Sequence, residues 1–144
     1  MYQIIFLPLV AALITQLIKI FLDSNKLKWN LKNLVAYSGM PSGHSAIVVS
    51  LATIIGLTEG WESSLFALAF VFAIIVIRDA LGIRKYLGEH GRILNKLVKD
   101  LKDDEMLDSK YPHLLEKIGH TPAQIIVGSL IGFIVSIVGY IVLK

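Results

Sequence analysis

The stretch TPAQIIVGSLIGFIVSIVGYIVL, residues 121–143, decides the fold class. It holds no Asp, Glu, Lys or Arg, and a spanning helix needs about 20 apolar residues to cross about 30 Å of hydrocarbon. Working back toward the N-terminus, further apolar blocks occupy residues 63–82, 44–57 and 2–22. Those at 2–22 and 63–82 are also long enough to span. The block at 44–57 amounts to only about 21 Å of helix at about 1.5 Å per residue. It reads either as a short span or as a half-helix with a recessed start, a kind of segment that tends to line sites in membrane proteins. The expectation is an all-α, polytopic membrane helical bundle of about four transmembrane helices, in a single membrane domain covering 1–144.

Composition supports this class and removes others. Hydrophobic residues make up 55% of the chain, charged residues 17%, and the mean hydropathy is +0.68. A soluble domain carries roughly 25% charged residues. The balance excludes a disordered chain and a nucleic-acid module. With no cysteine, disulfide, iron–sulfur and thiolate-zinc chemistry are excluded as well. No Lys or Arg precedes Lys19, so the first block lacks the basic region of a signal peptide and reads as a retained helix.

Charge placement sets the expected orientation. Lys26, Lys28 and Lys32 lie between the first two blocks. Arg84, Lys85, Arg92, Lys96, Lys99, Lys102, Lys110 and Lys117 lie between the last two. The loop between the middle blocks carries Glu59 and Glu62 and no basic residue. With four spans the two basic loops share a face, expected to be cytoplasmic, with both termini outside. The setting expected is the plasma membrane of a bacterium. Within the polar segment 84–119, Ile93, Leu94, Leu97, Val98 and Leu101 recur at helical spacing, with charged residues between them. This reads as a cytoplasmic amphipathic helix, either on the membrane surface or against the base of the bundle. Asp103, Asp104 and Glu105 end it in an acidic turn.

Chemistry concentrates at two loop-to-helix junctions. One is SGMPSGHS, residues 38–45; the other is GHTP, residues 119–122. Each sets a histidine beside small residues and a proline at a helix start. A helix N-terminus offers unpaired N–H groups and about half a positive charge, a ready seat for phosphate. Gly43 lets backbone approach an anion, Ser42 and Ser45 add hydroxyls, and His44 and His120 can act as acid, base or nucleophile. Capping explains either junction alone; two histidine-bearing junctions on one face point to a phosphate site.

Charged residues elsewhere have two readings each. Arg84 is a phosphate ligand, by its planar fork, or a membrane anchor. Arg78 and Lys85 read as anchors. Asp79 must be paired or face a polar cavity, because an ionisable residue is costly in the membrane. Gln16, Lys19 and Asp23 share a helical face, and Lys19 either snorkels or reaches toward the junctions. His90 and His113 read as surface residues, and no zinc-binding spacing joins the four histidines. Gly128, Gly132 and Ser136 form a small-residue ridge for close helix packing, against a neighbour in the same chain or in a second copy.

These features resemble a known family. PSGH at 41–44 is similar to the central motif of the type-2 phosphatidic acid phosphatase and vanadium haloperoxidase superfamily, and residues 119–128 resemble its last motif. The Gln16/Lys19 pair, GMPSGHSA at 39–46, DALGIR at 79–84 and GHTPAQ at 119–124, in that order, resemble the small divergent membrane branch of that superfamily over essentially the whole chain. The resemblance implies that His120 attacks phosphorus and His44 protonates the leaving oxygen. It further implies that Ser42 and the Gly43 amide hold phosphoryl oxygens, with cationic side chains completing a cage that needs no metal and no cofactor. The chain has no Arg-Pro, and Gln124 stands where the family has the Asp that orients the nucleophile. Asp79 is then expected to orient His120, with Lys19, Ser45, Arg84 and Gln124 contacting substrate.

The leading expectation is a phosphatase for a lipid phosphate monoester drawn from the membrane lipids, with no nucleic-acid partner. A non-hydrolytic phospholipid or polyprenyl-phosphate binder or translocator is the alternative, and a structural membrane protein the third. A homo-oligomer through the Gly128/Gly132 face is also expected.

Overall fold

The computed structural model describes residues 2–22, 39–100, 114, 116 and 118–143. Asp23, His113, Leu101, the acidic turn at residues 103–105, and Lys26, Lys28, Lys32, Lys102, Lys110 and Lys117 lie outside the described residues.

The described chain is all-helical. It comprises α1 (Tyr2–Phe21), α2 (Gly43–Glu59), α3 (Ser64–Leu81), α4 (Ile83–Asp100) and α5 (Pro122–Val142). Helices α1, α3 and α5 are each apolar and long enough to cross a membrane. Helix α2 is shorter, and its burial explains why that suffices. It packs against α1, α3 and α5, and Ala46, Val48, Ala52, Ile54, Ile55 and Gly56 are all buried. Being wrapped by protein, α2 need not match the hydrocarbon thickness on its own. Helix α3 is the opposite case. It buries only Ala69, Ala73 and Ala80, while Leu68, Phe70, Val71, Phe72, Ile74 and Ile75 are all at least half exposed, as suits a lipid-facing helix.

The caps follow from sequence. The side chain of Ser42 caps α2, Ser63 caps α3 and Thr121 caps α5, each accepting from a first-turn N–H that has no helical partner. Pro122 opens α5, where its missing N–H costs nothing. Gly82 separates α3 from α4.

Small residues decide the central contact. A Cβ on Gly128 would overlap the Ser42 carbonyl oxygen and Ser45 Oγ, and one on Gly132 would overlap the Ala46 carbonyl oxygen. One turn further, Ser136 Oγ donates to the Ser50 carbonyl at 2.9 Å and lies 2.7 Å from Ser50 Oγ. The small-residue ridge of α5 is therefore occupied by α2 of the same chain. Gly128, Gly132 and Ser136 are all buried there. Such close approach, with hydroxyls bonded across it, is how helices associate where lipid is as apolar as the side chains.

The ends of the bundle differ. At one end Gln3 Nε2 donates to the Leu143 carbonyl at 2.9 Å. Just past the end of α2, Trp61 covers Gly56 and meets Phe66 edge-on, with ring centroids 5.0 Å apart. The other end gathers the last turns of α1 and α3 and the first turns of α2 and α5.

Candidate active site

That second end is laced together by backbone. Ser42 N donates to the Gln124 carbonyl at 3.0 Å, and His120 N donates to the Ala80 carbonyl at 3.1 Å. Ser45 Oγ donates toward the Ser42 and Ile125 carbonyls, both at 3.1 Å. Both histidine junctions and the end of α3 thus become one unit.

The two histidines face each other. The His44 and His120 ring centroids are 6.0 Å apart at an interplanar angle of 54°. Two rings this close form one site at the starts of two helices. The first-turn N–H groups of Gly43 and His44 have no partner within the helix.

Three charged groups surround the pair. Lys19, Arg84 and Asp79 all lie within electrostatic range of His44, and Lys19 and Arg84 within range of His120. Lys19 is 3% exposed although it lies in the last turn of α1. It therefore faces the bundle rather than snorkelling to the interface. Arg84 Nε donates to Asp79 Oδ2 at 2.7 Å, with the side chains 34% and 35% exposed. The pairing expected of Asp79 is present, with Arg84 as its partner.

His120 is 5% exposed, and its Nδ1 is buried with no hydrogen-bond partner among the described residues. Burial lowers its pKa from 6.5 to about 4, helped by the positive charge of Lys19 and, more weakly, by His44 and Arg84. The Gln124 side chain opposes this shift. The ring is therefore neutral, and a neutral ring has a nitrogen lone pair to offer. With Nδ1 closed off, Nε2 is the nitrogen left to meet a substrate.

Several site residues do something other than the sequence suggests. Asp79 accepts from Arg84, and among the described residues no carboxylate is hydrogen-bonded to the His120 ring. Gln124 Oε1 accepts from Thr121 N at 2.9 Å, completing a capping box on α5. Ser45, fully buried, has one hydroxyl proton and directs it to two carbonyls. It locks the junctions together and has no proton left for a phosphoryl oxygen. Ser42 Oγ accepts from Ser45 N at 3.4 Å as the α2 cap. His90 is exposed on α4.

Sequence reasoning misses Thr15 and Ala80. Thr15 is 0% exposed, and its Oγ1 lies 3.5 Å from where a Cβ on Gly43 would stand. Its spacing of four from Lys19 puts both on one face of α1, a signal the sequence carries. The Ala80 carbonyl, which holds His120, leaves no such signal.

An all-helical membrane bundle with two histidines close together beside Lys19 and Arg84, at the starts of two helices, defines the class. The chain belongs to the Divergent PAP2 family, whose model matches residues 2–135. It is 38% identical over 142 residues to the Bacillus subtilis (strain 168) protein named "Uncharacterized membrane protein YuiD", covering 90% of this chain and 89% of that one. No solved structure matches. The chain is an integral membrane protein.

Proposed function

We propose that this protein is a membrane-embedded phosphatase that hydrolyses a lipid phosphate monoester through a phosphohistidine on His120. The observation that carries the reading is the His44–His120 pair, two rings 6.0 Å apart from junctions 76 residues apart in sequence. Two helix N-termini, Lys19 and Arg84 supply positive potential for a group of about two negative charges.

The chemistry balances without a further reactant. His120 Nε2 attacks phosphorus, the ester P–O bond breaks, and His44 gives a proton to the departing lipid alkoxide. Water then attacks the phosphohistidine, losing a proton to His44 as phosphate leaves and His120 is restored. Lys19 and Arg84 stabilise charge on the equatorial oxygens, where such electrostatic assistance is most effective.

The reading places the site end in the cytoplasm, at the plasma membrane of a bacterium. It is supported by the basic residues Lys85, Arg92, Lys96 and Lys99 after α3, against Glu59 and Glu62 in the opposite loop. Because the chain has no cysteine, single-cysteine labelling tests this directly. In intact cells an impermeant reagent should label Glu62→Cys and spare Lys96→Cys; the reverse pattern overturns the orientation.

Activity is tested by phosphate release from a panel of lipid phosphates by protein in detergent, beside His120→Ala and His44→Ala. Turnover that is lost in His120→Ala, with radiolabelled phosphate trapped on His120 in the wild type, supports the reading. Saturable lipid-phosphate binding without turnover sinks it and leaves a non-hydrolytic binder.

A further inference from the structure

The described residues before His120 (Leu114, Glu116, Ile118 and Gly119) lie against α4. Asn95 Nδ2 donates to the Leu114 carbonyl at 2.9 Å, and Leu114 N donates back to Asn95 Oδ1 at 2.9 Å. Asn95 Nδ2 also reaches Glu116 Oε1 at 2.9 Å. One side chain thus pairs with backbone as a neighbouring strand would, using both its donor and its acceptor.

The path continues on glycines. A Cβ on Gly88 would overlap the Glu116 carbonyl oxygen and lie 3.2 Å from Ile118 N. Gly119, at φ +96°, rests so close to α4 that its own Cβ would come within 2.9 Å of Lys85 N. The last link is the bond from His120 N to the Ala80 carbonyl.

Asn95 thus holds this path at Leu114, Gly88 and Lys85 meet it further on, and the Ala80 carbonyl holds it at His120.

We infer that Asn95 is a positioning residue for His120: its carboxamide fixes Leu114 on α4 and so sets where the His120 ring stands opposite His44. The inference rests on the phosphatase reading for its catalytic meaning, and on geometry alone for its structural claim. Asn95 acts on the ring through the segment it holds.

The test follows the imidazole itself, so it needs no turnover. Protein labelled at its histidines in detergent is titrated by NMR, with His120 assigned from His120→Gln. In the wild type His120 should titrate well below the ordinary histidine value, near 4. Asn95→Ala should release the ring and move its midpoint up by at least about one unit, toward the ordinary value of about 6.5. Asn95→Asp is nearly isosteric, loses the donor to Leu114, sets a negative charge against Glu116, and should do the same. It keeps the test valid if the alanine variant folds poorly. Lys96→Ala, on the adjacent exposed residue, should leave the midpoint in place.

For turnover, Asn95→Ala should lower kcat about ten- to hundredfold, the scale of a displacement of about 1 Å, with KM little changed. In a His120→Ala background it should cost nothing further. Unshifted His120 titration in both Asn95 variants, with helix content intact, overturns the inference. So does a wild-type His120 that titrates near 6.5. Failure of the phosphatase reading looks different: wild-type protein releases no phosphate while the His120 titration still responds to Asn95.

Discussion

Gly128→Ala is the sharpest test of how the site is held together. The added Cβ falls inside contact distance of the Ser42 carbonyl oxygen and Ser45 Oγ, both part of a rigid cap. Carbon and oxygen settle at about 3.3–3.6 Å, so α5 must move from the start of α2 by about 1 Å. Overpacking of this kind costs about 1–3 kcal/mol, or about 2–4 °C in Tm for each kcal/mol at this chain length. The same movement carries His120, four residues before Thr121's partner Gln124, away from His44, and about 1 Å is worth about a hundredfold in rate. Gly139→Ala is the control. The three atoms nearest its Cβ all belong to the side chain of Leu7, on α1 and far along α5 from the histidines, so stability should fall while the rate at saturating substrate holds. The assays are thermal unfolding in detergent and phosphate release. Unchanged Tm and rate in Gly128→Ala would refute the claim that α5 and α2 touch backbone to backbone at the site.

Other expectations follow from the same contacts. His120 has a pKa depressed from 6.5 to about 4, so the unfolded chain binds its proton first as pH falls. Its contribution to stability is fully present above about pH 6.5 and lost on acidification toward about pH 4; the slope of Tm against pH in that window should flatten in His120→Gln. Ser136→Ala removes the donor to the Ser50 carbonyl and should cost about 0.6–1.7 kcal/mol, measured by unfolding in detergent, with little added by Ser50→Ala. Asp79→Asn breaks a pair that is about one-third exposed and should change stability by less than about 1 kcal/mol. Arg84→Ala should weaken inhibition by vanadate, a phosphate mimic, by about tenfold, the scale of one charge-assisted hydrogen bond.

Much of the site was legible in the chain because its elements are local. Ser42 and Thr121 advertise helix starts by type and position, and His44 and His120 stand beside them. Lys19 in an apolar run is conspicuous by its cost. Roles were less legible than positions. Nothing in the motif at 119–124 says that Gln124 turns its oxygen to its own cap, or that Ser45 spends its proton on carbonyls of two segments. Asp79 and Arg84 are five residues apart with a helix break at Gly82 between them, so their pairing depends on how α4 leaves α3. Asn95 carried no signal, since its partner Leu114 lies in a loop.

By itself the sequence determined that this protein is an all-helical membrane bundle, because hydropathy and length are properties of each segment alone and lipid rewards them locally. It also determined that two histidines open helices at the same membrane face, because spans alternate in direction. Only the tertiary structure decided that those histidines meet. That depends on Gly128 and Gly132 letting α5 settle onto the first turns of α2, on α1 turning Lys19 inward, and on α4 holding the chain that carries His120. Each of these is a contact between segments distant in sequence, where shape complementarity and not local composition selects the partner.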